Sequence, residues 1–428
     1  MLKTWKFWKD TIIGTIFIFA FMAFAYQFLA IFSILDPVGQ ALEDMQITDQ
    51  IFSNENFRED PAFDTTILIV NFGRLGRKDI ARQINIINKY NPKVIGIDTF
   101  FGSLEPDTLG DLMLADALSK VENLVLGTQF MAPGDVDDPY YYHLKTSHPL
   151  FNQYAEMGIV NLIAETAGTK QEEYKVVREF SPKMLYKDTI SGEVIEQMAF
   201  GVKLASYVNP EAAERFLARN NEEEIINYRG NVLTMLTLDN RPKFFALDVM
   251  DVLEENFDPS LVKDKIVLLG HVGESFLEPY WIEDKFFTPM NPKYAGRAGL
   301  DMYGVVIHAN ITAMVLNEDY LDKMSETKGY IVAIILCFLN VGLFTIIYRK
   351  LPLWYDGITK LIQLVEVVII LGLIIFVFHL FAIEMELTIA IIVILLAGDA
   401  LEVLYGVGYN MFQKEKRREL FTIKEHNV

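Results

Sequence analysis

The chain has 428 residues, 51% of them hydrophobic and 22% charged. It is too apolar for one ordinary soluble protein, too polar for a bare membrane bundle, and long enough for two to three domains. A net charge of −19 argues against nucleic acid as a partner, because affinity there comes from Lys and Arg neutralising phosphate. The single cysteine, Cys337, excludes an intramolecular disulfide and leaves no thiolate set for zinc, so the fold must rest on a packed core.

Residues 1–10 are short and basic, and residues 11–35 are an apolar run long enough to span a bilayer. The run exceeds a usual signal-peptide core and no small-residue cleavage site follows it, so it reads as a retained anchor. Beyond it, residues 66–130 alternate strand and helix. TILIVNF is a buried strand closed by the turn GRLGRKD, and Ile80, Ile84 and Ile87 mark one apolar helix face. Asn91-Pro92 stops that helix, and KVIGID at 93–98 is a second strand. Leu112, Ala115 and Leu118 mark a second helix, and NLVLGTQF at 123–130 a third strand. Strand–helix alternation with short connections predicts a parallel sheet with right-handed crossovers.

Residues 131–230 are less regular. The pattern predicts a turn-rich loop at 132–139, a strand at 158–163, a helix at 193–207, and a hairpin or strand pair from 222 through VLTMLTL. Phe245, Val249 and Val252 then repeat helically, DKIVLLG at 264–270 is a buried strand, and GVVIHANITAMVL at 304–316 is an apolar helix. Three further apolar runs follow, at 329–348, 361–381 and 387–409, leaving a basic tail at 410–428.

Lys3, Lys6 and Lys9 precede the first run, Arg349, Lys350 and Lys360 flank the loop between the second and third, and Lys414, Lys416, Arg417 and Arg418 follow the fourth. The connection AIEME between the third and fourth has no Lys or Arg. The positive-inside rule then puts both termini in the cytoplasm and residues 36–328 outside. That outside segment carries 47 Asp/Glu and 27 Lys/Arg, a balance of 27 − 47 = −20, so it holds the chain's excess negative charge. The expected architecture is an extracytoplasmic α/β domain with a mainly parallel sheet, plus four transmembrane helices. A cysteine-free outside domain in this layout suits the periplasmic side of a bacterial inner membrane. The 19 residues after the fourth run are too few to fold as a kinase or cyclase, so no output domain is expected in this chain.

KVIGIDTFF at 93–101, INYRGN at 226–231, DKIVLLG at 264–270, DKFFTP at 284–289 and YGVVIHANITAMVL at 303–316 occur in that order between the first and second apolar runs. The ordered set, with one span before and three after, resembles the type 2 CHASE domain, a bacterial extracytoplasmic sensor module, over residues 35–325. In that family the sensor usually precedes a cytoplasmic cyclase or kinase, and here none follows. The resemblance therefore implies a ligand- or stress-sensing ectodomain read out by a separate protein. It brings no catalytic residues and names no ligand.

The residues themselves carry no H-E-x-x-H, G-x-S-x-G, Walker loop or G-x-G-x-x-G. Gly73 and Gly76 after the first strand are a phosphate cradle or, more simply, a tight turn. Asp98 ends the second strand at the sheet's carboxyl edge, where open α/β sheets bind ligands. Glu105, Asp107 and Asp111 follow and make an oxygen-rich set; the plainer roles are backbone hydrogen bonding for Asp98 and helix capping for Asp111. His271 ends another strand, Asp284 and Thr288 lie in DKFFTP, and Asn310 with His308 lies on the apolar helix. Strand ends alone suggest a polar ligand pocket from Asp98, His271, Asp284, Thr288 and Asn310, while His308 alone is best read as a buried, hydrogen-bonded core histidine. Glu366, Asp399 and Glu402 lie within the third and fourth spans. Ionisable residues there are functional suspects, as contacts for a basic partner helix or proton carriers. The plainer reading is snorkelling to the interface or pairing with Lys360.

Three functions remain open: a sensor signalling through a membrane or cytoplasmic partner, a docking subunit of an envelope or transport complex, and an extracytoplasmic metal-dependent hydrolase. The first is preferred, with no catalytic residue, cofactor or metal, a small-molecule or envelope ligand, the lipid bilayer as surroundings, and a homodimer as the possible assembly.

Overall fold

The structure is a computed structural model that describes residues 5–32, 49–54, 57–58, 60–106, 108–133, 139–162, 176–234, 242–277, 283–291 and 299–405. Two compact units emerge, a helical unit from 1–48 with 322–428 and an α/β unit over 49–321. The chain opens on α1 (Trp5–Phe32), which belongs to the helical unit.

The α/β unit begins with a short helix α2 (Asp49–Ser53), then β1 (Asp64–Asn71), α3 (Arg77–Asn88), β2 (Val94–Ile97), α4 (Thr108–Ser119) and β3 (Leu124–Pro133). From β1 to β3 these are the elements that the apolar periodicity predicts, and α2 is an addition. Asn91, with φ +53, takes the left-handed turn before Pro92 and closes the α3–β2 connection. The irregular middle holds β4 (Tyr140–Lys145), α5 (Pro149–Asn152), β5 (Glu156–Ile159), β6 (Glu179–Phe180), β7 (Lys183–Lys187), β8 (Val194–Met198), α6 (Phe200–Val208), α7 (Pro210–Leu217) and β9 (Glu224–Ile225). The unit ends with β10 (Phe244–Leu247), α8 (Val249–Leu253), β11 (Ile266–Gly270), β12 (Lys285–Phe286), β13 (Met302–Tyr303) and α9 (Gly304–Asn317).

Two expectations change. The stretch 193–207 is not one helix: its first part is β8, antiparallel to β7, and only from Phe200 does it turn helical. Val194 and Ile195 are β-branched neighbours that favour extended backbone. Likewise Phe245 sits in β10, parallel to β1, and the helix starts at Val249 behind Asp248, whose side chain caps it in a reciprocal box with Asp251. Most of VLTMLTL, the proposed hairpin, lies outside the described residues.

The main sheet runs β10-β1-β11-β2-β3-β4-β7-β8, with β5 also on β3. It is mixed. Pairings from β10 through β3 to β5 are parallel, whereas β3–β4 and β7–β8 are antiparallel. β11 enters between β1 and β2, so the last strand of the main sheet in chain order is the neighbour of its first. All five β11 residues are buried, as a central strand with both faces covered requires. One face is covered by α3 and α4, whose Ile80, Ile84, Leu114 and Leu118 join Ile95, Ile97, Leu126 and Leu269 in one core. The opposite face takes α6 and α9. A Cβ on Gly96 would meet Leu204 and Phe200 of α6, and one on Gly270 would stand 2.4 Å from Val305 of α9. Every residue of α9 from Gly304 to Val315 is buried. That accounts for its uniformly apolar sequence, at a length too short to span a bilayer.

The helical unit contains α10 (Glu326–Lys350), α11 (Tyr355–Phe381) and α12 (Thr388–Val403) besides α1. Among the described residues three stretches are long and apolar enough to cross a membrane: Phe7–Phe24 of α1, Glu326–Lys350, and Pro352–Phe381. The described part of α12 is 16 residues, and the rest of the expected fourth span, 406–409, lies outside the described residues. Ile18, Val341, Phe344, Ala397 and Leu401 form a shared core.

Candidate functional site

The carboxyl edge of β1, β11 and β2 carries a dense polar network. Its hub is Asn71, wholly buried at the end of β1. Its Oδ1 accepts from the Gly73 and Val272 amides at 2.9 Å each, and its Nδ2 donates to Asp248 at 2.9 Å. Asp248 accepts in addition from the Phe276 amide at 2.9 Å. Two side chains thus fasten the loops that follow β1, β10 and β11. Gly73 turns with φ +52, and a Cβ there would lie 2.9 Å from the Glu274 carbonyl. Its amide is spent on Asn71, so the G-x-x-G stretch is a fastened turn and not an open phosphate cradle.

The five residues expected to share one pocket are turned to different partners. Asp98, just past β2, has its Oδ2 4.0 Å from Nε2 of His308 on α9. His308 is 3% exposed, stands edge-on to Phe200 at 5.3 Å between ring centres, and its Nδ1 has no hydrogen-bond partner among the described residues. The hydrogen-bonded core histidine expected from sequence is therefore buried but only partly satisfied. Burial pushes His308 down to about 3, which keeps it neutral beside Asp98. His271 lies elsewhere along the edge, with Nδ1 3.2 Å from the Gly73 carbonyl and its ring near Tyr303, and burial lowers its pKa. Asp284, at φ +61, accepts the Gly304 amide on its backbone carbonyl at 3.0 Å, at the start of α9.

Thr288 serves a residue that sequence reasoning missed. Its amide and hydroxyl both donate to Asp301, at 2.9 and 2.5 Å, and Asn291 adds a third bond at 3.2 Å. Burial, opposed by those bonds, raises Asp301 to about 7. Lys285, its ammonium over the Tyr303 ring at 5.0 Å, is lowered by burial and partly restored by Asp301. Asp301 precedes the YGVVIHAN stretch by two residues and looks in sequence like an ordinary loop aspartate; the oxygen-binding Thr288 and Asn291 were the available signal.

Asn310 organises the INYRGN segment. It is wholly buried on α9, accepts the Arg229 and Gly230 amides at 2.7 and 3.2 Å, and donates to the Gly230 and Val306 carbonyls at 3.0 and 2.8 Å. Asn231 extends the clamp to the Asp301 carbonyl at 2.9 Å, and the Tyr228 hydroxyl donates to Val177 at 2.8 Å.

The oxygen-rich set after β2 has a structural role. Asp111 pairs with the buried Arg77 and takes the Glu105 amide at 2.9 Å, while Arg77 reaches the Ser103 carbonyl at 2.5 Å and packs over Phe151. Asp107 lies outside the described residues. Among the described residues no three His, Cys, Asp or Glu come together as a metal site.

In the helical unit the three acidic residues differ. Asp399 is gripped by Lys360 with both oxygens at 2.7 Å. Glu366 accepts from Asn340 at 2.9 Å, a neutral partner, and Glu402 is exposed. Asp10 pairs with Arg349, linking α1 to the end of α10.

An α/β unit carried with apolar helices long enough to span a membrane defines the class as a membrane-associated α/β protein. The CHASE2 domain family model matches residues 27–344, most of the chain, and the protein belongs to that family of sensor domains. No curated protein and no solved structure matches it.

Proposed function

We propose that the chain is a membrane-anchored sensor of a bacterial inner membrane, with the α/β unit in the periplasm and both termini in the cytoplasm, signalling through a partner protein. The observation that carries this reading is a CHASE2 domain over residues 27–344 combined with helices of spanning length on either side of the α/β unit. The basic residues flanking the apolar runs support the orientation. The ligand is a small molecule or envelope component, and no enzymatic activity, cofactor or nucleic acid belongs to this reading. A partner helix would meet the membrane carboxylates. Glu366 is the best placed of the three, since Asn340 brings it no positive charge and Lys360 is spent on Asp399. A ligand shifts such a receptor only by binding two of its states unequally.

Native mass spectrometry of the full-length protein, extracted gently from its own membrane, tests this. A stoichiometric partner with a recognisable cytoplasmic output domain is expected; a fixed oligomer alone, or envelope proteins only, would sink the sensor reading.

A docking subunit is the second reading, and one observation favours it. Leu104, Leu109, Leu112 and Met113, on and before α4, are 47%, 56%, 61% and 39% exposed, an apolar face on an otherwise acidic unit. Leu112→Glu would then release an envelope partner without unfolding the protein.

A further inference from the structure

Arg229 is the one residue of the INYRGN segment whose side chain has no assigned work. Its neighbours all do: Asn227 donates to Asp319, Tyr228 to Val177, and Asn231 to Asp301. The other arginines around this segment are also engaged. Arg178 grips Asp49 at 2.7 Å, and Arg58 donates to the Tyr228 carbonyl and to Asn227. The Arg229 guanidinium makes no hydrogen bond and no ion pair among the described residues, and its Nε is closed off from solvent without a partner. The residue as a whole is half-buried. An orphaned, partly desolvated guanidinium is costly and calls for an explanation.

The backbone beneath it is fixed. Asn310, itself wholly buried, holds the Arg229 and Gly230 amides and the Gly230 carbonyl at once. A cation held on a rigid turn, in a unit with 17 more acidic than basic residues yet with no carboxylate on it among the described residues, is preorganised for something that arrives from outside. The planar fork of an arginine matches the paired oxygens of a carboxylate or a phosphate.

We infer that Arg229 is the anchor of an anion-binding site in the α/β unit, which takes a carboxylate- or phosphate-bearing ligand end-on through the guanidinium Nη groups. This rests on the sensor reading only for its biological use, since it names the ligand's charged group; binding itself is read independently of signalling.

The test uses the full-length protein in nanodiscs, titrated separately with inorganic phosphate and with succinate at constant ionic strength, chloride being the reference anion. Wild type is expected to show a saturable rise in melting temperature with at least one probe, about 5 °C at a hundredfold excess over Kd. R229Q should lose that rise. R229K, which keeps the charge without the fork, should need at least tenfold more anion for half-saturation, and it serves as the arbiter should R229Q fail to fold. Phosphate alone, succinate alone, or both acting in this way support the site and distinguish its ligand class. No saturable rise in wild type with either probe overturns the inference, as does an unchanged half-saturation in a folded R229Q or in R229K. Binding lost in R229K while no partner output changes with anion would leave the site standing and sink the sensor reading instead.

Discussion

Replacing Asn310 by alanine isolates the clamp between α9 and the 226–231 segment. The mutation strips partners from the Gly230 amide and carbonyl, both buried, and from the Arg229 amide, which lies nearer solvent and recovers a water. A buried backbone group left unsatisfied costs about 1–3 kcal/mol. Two such groups give about 4 kcal/mol, which for a unit of this size is a fall in melting temperature of roughly 10 °C. Asn317→Ala is the matched control on the same helix: its single bond to Ala313, at 2.7 Å, lies at the more exposed end, and its loss should cost under about 1 kcal/mol. Asn310→Asp separates hydrogen bonding from shape. It keeps both acceptors but loses the donor to Gly230 and buries a charge, so at pH 7 it should melt no higher than the alanine variant and recover as acid protonates it. Thermal unfolding of the full chain in nanodiscs, followed by intrinsic fluorescence, reads all three. An Asn310→Ala protein melting within about 2 °C of wild type would refute the reasoning.

Further expectations follow from the same geometry. His308, held near 3, should cost stability as pH falls below 6.5, because only the unfolded chain takes the proton; Asp301, held near 7, should add stability over pH 7 to 4, because the folded chain takes it first. Each is worth about 2 kcal/mol at pH 5, so D301N should lose stability on acidification more steeply than wild type and H308L less steeply, which melting curves at pH 7 and 5 would show. Gly270→Ala drives a methyl into Val305 and should cost about 2–3 kcal/mol in denaturant unfolding, with much of it returned by Val305→Ala in the same chain. Asp111→Ala leaves the buried Arg77 with only the half-exposed Glu105, at 3.4 Å, as an ionic partner and should cost about 3 kcal/mol, whereas an exposed pair such as Lys120–Asp116 should cost under about 1 kcal/mol when broken.

Much of the α/β unit was legible because its elements announce themselves by period. Ile80, Ile84 and Ile87 face one core, and TILIVNF, KVIGID and DKIVLLG are buried strands. Strand order was not legible: β1, β2 and β11 are all short apolar runs, and nothing local says that β11 enters between the other two. The strand–helix boundary at Phe245 is hidden because Phe245, Val249 and Val252 have a spacing that fits a helix, and Asp248 settles the boundary only through a cap seen in three dimensions. The candidate site was harder still. Strand ends place Asp98 and His271 along the sheet's carboxyl edge, yet Asp98, His271, Thr288 and Asn310 each have a separate partner, and the connecting residues, Asn71, Asp248 and Asp301, carry no pattern of their own. Hydrogen bonds between residues some 80 to 200 apart decide that arrangement, and composition does not encode them. Nor did sequence separate Asp399 from Glu366; only the reach of Lys360 does.

The place of β11 sets terms for how this chain comes to be folded. Ile67 lies beside Ile266, and Leu68 beside Val267, so the first strand waits about 200 residues for its neighbour. Until then β1 and β2 have apolar faces and open edges with nothing between them, a state inviting association with other chains. Closing so long a loop is slow. Residues up to 265 could not complete this sheet however stable their local helices, whereas a chain reaching 270 supplies the missing strand. A chain synthesised stepwise would therefore remain open through most of its emergence, and its sheet would close late and nearly all at once.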